Sequence, residues 1–310
     1  MIHILYSAGP SAPQDEWAPP LGATLDRMGL AHVIAPDVAP ERADYIVYAP
    51  DSGLQDFTPF TRARAVLSLW AGVEAIVANP TLTMPLARMV GGGLTEGMVE
   101  WVTGHVLRHH LGMDRHIVNP DNDWTLRPPP LAAERRVTVL GLGALGSAVA
   151  QALARIGFNV SGWSRRPKQM PGISCYSGDT GLAEALRDAE FVILLLPGTR
   201  ATENTLNRDT LALLARGAFV LNPGRGPLID DAALITALDE GQVAHATLDV
   251  FRREPLLQDH PFWGHPGVTV TPHVASHTRP HLGAEVIAEN IRRSEAGAPL
   301  LHLVDRSAGY

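Results

Sequence analysis

Val137-Thr138-Val139-Leu140-Gly141-Leu142-Gly143-Ala144-Leu145-Gly146 reads as a buried, β-branched strand that turns through three glycines into a helix. At this spacing each glycine has its own physical task. The first makes a tight turn, the second lets the backbone approach a pyrophosphate, and the third lets the helix sit close on the strand. The helix N-terminus then offers its unpaired N–H groups to the anion. Val149, Leu153 and Ile156 continue the helical pattern, and Phe158 to Trp163 supplies a second strand, so the stretch is a dinucleotide-binding βαβ unit and not an isolated Gly-rich turn. About 20 residues on, NAD-specific sites place an acid on the ribose 2′-hydroxyl. Ser164-Arg165-Arg166 stands there instead. A hydroxyl and two guanidinium groups suit a 2′-phosphate, so the expected cofactor is NADP; a solvated surface loop is the other reading of the arginine pair.

The chain has 310 residues, 45% of them hydrophobic and 18% charged. Single cores stop growing near ~250 to 300 residues, so two domains are expected. A formal net charge of -7 argues against a nucleic-acid or membrane-surface binder, either of which needs a basic face. One cysteine, Cys175, excludes internal disulfides and a thiolate metal cage, and fits a reducing compartment. Met1-Ile2-His3-Ile4-Leu5-Tyr6 lacks a basic n-region and reads as a first strand, and the apolar run Phe191 to Leu196 is too short to cross a bilayer. The expectation is a cytoplasmic protein whose partners are small molecules and a second copy of itself.

Strand-like segments at Ile2 to Tyr6, Ala31 to Ile34, Tyr45 to Tyr48, Ala65 to Leu69 and Ala75 to Ala78 form a first α/β region. A helix over Thr95 to His110 leads out of it, and Asp121 to Pro130 is a loop. After the glycine turn, strands recur at Phe191 to Leu196, Ala218 to Leu221, Ala246 to Val250 and Val268 to Thr271. Helical segments fall at Gly181 to Ala189, Arg208 to Ala215 and Asp230 to Glu240. Such alternation predicts a parallel, doubly wound sheet. Because the glycine turn lies mid-chain, a final helix from about Pro280 to Ala296 should return to the first domain. The fold expected is α/β with two doubly wound, Rossmann-like domains: a substrate-binding domain over 1–100 plus 275–310, and a dinucleotide-binding domain over 101–274 inserted in it.

In open α/β sheets ligands bind beyond the carboxyl ends of the strands. Three residues stand at such ends: Arg225 in Asn222-Pro223-Gly224-Arg225-Gly226, Glu254 after Leu248-Asp249-Val250, and His273 after Thr271-Pro272. Together they fit hydride transfer at a carbonyl beside a carboxylate. His273 would exchange a proton with the carbonyl oxygen, Glu254 would favour the imidazolium, and Arg225 would hold the carboxylate through its planar fork. A metal is not suggested. His109-His110 and the His273, His277, His281 series are the densest histidine arrangements, and neither has a carboxylate or cysteine at matching offsets.

The order of motifs resembles the D-isomer-specific 2-hydroxyacid dehydrogenase family along nearly the whole chain. The resemblance is carried by Gly141-Leu142-Gly143-Ala144-Leu145-Gly146, Leu196-Pro197-Gly198-Thr199 with Thr202, Asn222-Pro223-Gly224-Arg225-Gly226, Leu248-Asp249-Val250-Phe251, Arg253-Glu254-Pro255-Leu256 and Thr271-Pro272-His273-Val274-Ala275. Within the family it is most similar to the bacterial NADPH-using glyoxylate/hydroxypyruvate reductase branch, the ending Val304-Asp305-Arg306-Ser307-Ala308-Gly309-Tyr310 included. It implies a triad of Arg225, Glu254 and His273, with Asp249 near the nicotinamide carboxamide. It also implies a cofactor site lined by Gly141, Gly143, Leu145, Gly146, Ser164, Arg165, Arg166, Leu196, Pro197, Thr202, Pro223, Gly224 and Arg225.

Leu69-Trp70-Ala71-Gly72-Val73-Glu74 matches the family's substrate loop, so Trp70, Ala71, Gly72 and Val73 would bind substrate with Arg225 and His273, the N–H groups of Gly72 and Val73 taking the carboxylate. Two departures stand out: Trp70 replaces a small residue and Glu74 an Asp. The large ring either narrows the substrate site or packs in the core. Trp124 resembles a residue that reaches toward a neighbouring subunit, with a buried loop anchor as the alternative. A homodimer through the cofactor domain is implied. Glu254 weighs against a formate dehydrogenase, in which the histidine's partner is a neutral amide. The expected activity is NADPH-dependent reduction of small 2-oxo acids, glyoxylate and hydroxypyruvate. The rival readings are a bulkier 2-keto acid, NADH as donor, or a dinucleotide-sensing corepressor-like binding protein.

Overall fold

The computed structural model describes every residue except Ser307 and Tyr310, so the ending quoted above lies in part outside the described residues. The chain forms two compact units, Met1–Leu94 with His277–Tyr310, and Thr95–Ser276. The junctions lie between Leu94 and Thr95, in the first turn of a long helix, and between Ser276 and His277. That helix belongs with the second unit because Met98, Val102 and Val106 are buried in its core.

In chain order the first unit carries β1 (Ile2–Ser7), α1 (Gln14–Arg27), β2 (His32–Ala35), β3 (Tyr45–Tyr48), β4 (Ala65–Ser68) and β5 (Leu86–Ala87). The strands are all parallel, in the order β2-β1-β3-β4-β5. Every residue of β3 and β4 is buried, the continuous apolar reading of strands covered on both faces. Ala75 to Ala78 is a turn and not a strand. Val73 and Ile76 are both buried, and the N–H groups of Ile76 and Val77 donate to the Val73 carbonyl at 3.0 and 2.9 Å, so the apolar residues close a helical turn. The fifth strand is the two-residue β5, too short to give a pattern.

The second unit holds α2 (Leu94–His110), α3 (Asp114–Ile117), β6 (Arg136–Leu140), α4 (Ala144–Ile156), β7 (Asn159–Ser164), β8 (Ser174–Ser177), α5 (Gly178–Leu186) and β9 (Phe191–Leu194). It continues with α6 (Arg208–Leu211), β10 (Ala218–Asn222), α7 (Asp231–Asp239), β11 (Val243–Leu248) and β12 (Val268–Val270), and α8 (Pro280–Glu295) then returns to the first unit. The seven strands are parallel in the order β12-β11-β10-β9-β6-β7-β8. From β6 the chain winds first to β7 and β8, then crosses to β9, so the strand order reverses between β6 and β9. That is where an open sheet leaves a crevice at its carboxyl edge.

Strand alternation builds one core on each face. Phe191 and Ile193 join Val149 and Leu153 of α4 and Val102 of α2, whereas Val192 and Leu194 join Leu186 of α5 and Leu234 of α7. On the α2 face, His109 stacks on Phe219 of β10 with ring centroids 4.8 Å apart and lies 4.8 Å from the His245 ring of β11. His109 Nε2 pairs with Thr247 Oγ1 at 3.0 Å and His245 Nε2 with Thr269 Oγ1 at 2.8 Å. Burial pushes His109 down to about 3 and His245 to about 4, and neighbouring positive charge adds to it. In the first unit α8 packs on α1 so closely that a Cβ on Gly283 would lie 2.8 Å from the Trp17 ring. Among the described residues no helix is long and apolar enough to cross a membrane.

Candidate active site

The glycine turn follows β6 directly. Gly141 has φ of 105°, and a Cβ there would sit 2.5 Å from the Leu195 carbonyl oxygen, so only glycine fits. A Cβ on Gly146 would lie 1.8 Å from the Gly141 carbonyl oxygen, which is the close helix-on-strand approach. Gly143 differs: it caps the N-terminus of α4, and a Cβ there would meet nothing within 4 Å. The space over the second glycine is therefore open for a phosphate, and no side chain caps the first N–H groups of α4. Leu145, in the first turn, packs partly on the core.

Parallel pairing of β6 with β7 sets Leu140 opposite Trp163, which brings Ser164 beside the glycine turn. Ser164 Oγ donates to the Arg166 carbonyl at 2.8 Å, folding a small loop that exposes Arg165 and Arg166. Lys168 was not singled out from the sequence, yet its Nζ donates to the Leu142 carbonyl inside the glycine turn. Its signal was a third cation one proline beyond the arginine pair. The helix N-terminus and this cation cluster fit a dinucleotide that carries an extra phosphate.

Other residues expected at the cofactor are occupied within the chain. The Leu196 side chain is buried in the core next to Leu194 and Leu206, leaving its backbone at the strand end. Thr202 Oγ1 donates to the Pro197 carbonyl at 2.6 Å and accepts from the Thr199 N–H at 3.0 Å, closing the loop after β9. Pro223 and Gly224 are buried, and a Cβ on Gly224 would stand 2.6 Å from the Leu194 carbonyl oxygen. Asp249 is fully buried, and its carboxylate accepts from Thr271 Oγ1 at 2.6 Å, the Val274 N–H at 2.8 Å and the Ala275 N–H at 2.9 Å. Its chief work is to hold the backbone around His273, itself in the left-handed region at φ of 55° with its N–H bonded to the Asp249 carbonyl.

The structure brings His273 and Glu254 together: Nδ1 lies 2.8 Å from Oε2, with side chains 53% and 35% exposed. Glu254 Oε1 also accepts the Phe251 N–H at 2.9 Å. The hydrogen bond to Glu254 raises the His273 pKa against the effect of burial, with Asp249 adding and Arg225 opposing. For Glu254, burial pushes the pKa up, but the hydrogen bonds from His273 and Phe251 outweigh it and the net shift is downward. Arg225 sits on the turn after β10. Asn222 shapes that turn, its Oδ1 accepting from the Gly224 N–H at 3.1 Å and its Nδ2 donating to the Arg225 carbonyl at 2.9 Å. Arg225 Nη1 donates to the Gly224 carbonyl at 2.7 Å. The result is an imidazole whose protonated form a carboxylate favours, with a guanidinium close enough to act on both groups.

In the first unit Ser68 Oγ pins the loop after β4, donating to the Trp70 carbonyl at 3.0 Å and accepting its N–H at 3.2 Å. Trp70 is 39% exposed and outside the core, so core packing is not its role; Ala71 and Gly72 are half-buried and Val73 is buried. Trp124 is 99% exposed, which rules out a buried loop anchor. Among the described residues no cluster of three or more His, Cys, Asp or Glu could hold a metal ion.

Residues 104–275 match the family model for the NAD binding domain of D-isomer specific 2-hydroxyacid dehydrogenases. Over 306 residues, 96% of each chain, the sequence is 38% identical to glyoxylate/hydroxypyruvate reductase A of Serratia proteamaculans. The fold superposes on a D-isomer specific 2-hydroxyacid dehydrogenase of Xanthobacter autotrophicus Py2, solved with NADPH and MES, with a TM-score of 0.91 at 40% identity, covering 100% of this chain and 99% of that one. It is also similar to an NADPH-dependent glyoxylate/hydroxypyruvate reductase of Sinorhizobium meliloti, solved with NADP and sulfate, with a TM-score of 0.87 at 32% identity and all of both chains covered.

Proposed function

The chain belongs to the D-isomer specific 2-hydroxyacid dehydrogenase family, and on that premise we propose that it reduces small 2-oxo acids, glyoxylate and hydroxypyruvate, with NADPH. The observation that carries this reading is the His273–Glu254 pair at 2.8 Å, at the carboxyl edge of the sheet that also bears the glycine turn. When bound, NADPH supplies the hydride to the carbonyl carbon. His273 gives its proton to the carbonyl oxygen, so one hydride and one proton turn the aldehyde or ketone carbonyl into a hydroxyl. The Nδ1 bond to Glu254 directs that exchange to Nε2 and keeps the ring protonated to higher pH. Arg225 takes the substrate carboxylate by its planar fork.

Ser164, Arg165, Arg166 and Lys168 select the phosphorylated cofactor. We assign the cofactor-binding role to the second unit and the substrate-binding role to the first. Ile117, Val118, Leu126 and Leu131 are, with Trp124, exposed apolar side chains along one stretch of the second unit, and they support a homodimer formed through that unit. Sedimentation equilibrium tests this, and a monomer at micromolar concentration refutes it. For the activity, glyoxylate, hydroxypyruvate, pyruvate and phenylpyruvate are supplied to purified protein while NADPH and NADH oxidation are followed separately. Turnover of the first two with NADPH is expected, and no turnover of any acid overturns the reading.

A further inference from the structure

We propose that Arg252 is a positioning residue that locks the loop bearing Glu254 onto the turn bearing Arg225, and so sets the Glu254–His273 contact. Arg252 belongs to neither the glycine turn nor the acid-base pair. Its guanidinium nonetheless joins three loops of the second unit. Nη2 donates to the Ile229 carbonyl at 2.5 Å, to Asn204 Oδ1, and more weakly to the Pro227 carbonyl at 3.5 Å. Nη1 donates to Glu203 Oε1 at 3.3 Å, and Nε lies 3.7 Å from Asp231 Oδ1. Pro227 and Ile229 lie two and four residues beyond Arg225, and Asn204 lies two residues beyond Thr202, which closes the loop after β9. Asn204 is in turn fixed by its N–H to the Pro227 carbonyl at 2.9 Å, with φ of 52°.

A second observation makes the coupling tight. A Cβ on Gly226 would lie 1.9 Å from the Phe251 carbonyl carbon and 2.3 Å from the Arg252 nitrogen. The backbone after Arg225 therefore presses directly on the backbone before Glu254, with no side chain between them to absorb a shift. From Phe251 the path is short: its N–H holds Glu254 Oε1 at 2.9 Å, and Oε2 holds His273 at 2.8 Å. An exposed ion pair by itself would contribute little. The strongest contacts of Arg252, whose side chain is 34% exposed, are to a carbonyl and an amide oxygen, which ask for a planar fork of donors more than for a charge.

The inference rests on the functional reading above, but its test has a readout that needs no turnover. Arg252→Met and Arg252→Lys are compared with the wild type by NMR titration of the His273 ring, by kcat and KM for glyoxylate, by NADPH affinity and by thermal melting. The charges that face His273 are Glu254, Asp249 and Arg225, and all three are kept in both variants. Releasing the loop lengthens the Glu254 contact, so the His273 midpoint falls toward that of an ordinary histidine. Because misplacement by about 1 Å can cost about a hundredfold, kcat should drop about 10- to 100-fold with little change in NADPH affinity. The Lys variant, charged but not forked, should fall between wild type and Met, and it decides the matter if the Met variant does not fold. In a Glu254→Gln background the same substitution should move the midpoint no further, because its effect passes through the carboxylate. An unchanged His273 midpoint, with activity lost only in proportion to folded protein, overturns the inference. Absence of wild-type turnover condemns the functional reading instead, and the titration still decides the role of Arg252.

Discussion

The buried pair His109 and His245 makes the second unit acid-labile by a calculable amount. Both rings are held neutral in the fold, at about 3 and about 4 against an ordinary 6.5. As pH falls below 6.5 the unfolded chain takes up two protons that the folded chain refuses, so stability drops with falling pH until the folded values are reached. Between pH 7 and pH 5 this linkage amounts to about 2 kcal/mol per ring, about 4 kcal/mol for the pair. A domain is typically stable by about 5 to 15 kcal/mol, so the loss is a large share. The charges facing the pair are Arg108, Asp114, His105 and His265, and Arg108 is tied to Asp114 at 2.7 Å. Urea denaturation at the two pH values, followed by hydrogen exchange of β10 and β11 amides, measures the effect. His109→Phe keeps a ring to stack on Phe219 and removes the titration. It should cost about 1 kcal/mol at pH 7, for the Thr247 hydroxyl left without its partner, and shrink the loss between pH 7 and pH 5 by about 2 kcal/mol. Other titrating groups are common to both proteins and cancel. Equal pH losses in wild type and variant would refute the reasoning.

Three further outcomes are expected. Arg165→Ala with Arg166→Ala should raise the KM for NADPH about 10- to 100-fold, for charge-assisted contacts of about 1.5 to 3 kcal/mol, while sparing NADH; an unchanged ratio in steady-state kinetics contradicts the phosphate assignment. His273→Ala should lower kcat by about 10²- to 10⁴-fold with NADPH affinity retained, and comparable losses in both, measured by turnover and by fluorescence titration, would mark a structural role. Because Glu254 raises the His273 pKa, reduction should persist above the pH at which an ordinary histidine loses its proton and then decline. Glu254→Gln should move that decline to lower pH in a pH–rate profile, and an unmoved profile tells against the pairing.

The glycine turn, most strands of both units and the strand-end positions of Arg225, Glu254 and His273 were legible because each rests on local pattern. Apolar periodicity marks a buried strand, and a turn at its carboxyl end marks a place where side chains reach a crevice. What was hidden depends on pairing across long sequence separations. β8 is a polar edge strand, Ser174-Cys175-Tyr176-Ser177, with no apolar alternation to reveal it. Asp249, a strand-end acid, reads as a ligand contact, and only the fold shows its carboxylate accepting the Thr271 hydroxyl before His273 and the Val274 and Ala275 N–H groups after it. Lys168 and Arg252 act on backbone carbonyls, Leu142 at 26 residues' separation and Ile229 at 23, and a carbonyl leaves no trace in residue identity.

The packing of α8 on α1 also fixes an order of events during synthesis. Trp17 and its helix are made early, but the helix that covers that ring begins at Pro280, after all of Thr95–Ser276 has been translated. The first-made part of the chain therefore waits with an apolar face open while the inserted part folds ahead of it. A released chain truncated after residue 276 should hold a finished seven-stranded sheet and a first unit that proteases still cut. That makes the uncovered face of α1 the segment a ribosome-bound chaperone would meet first.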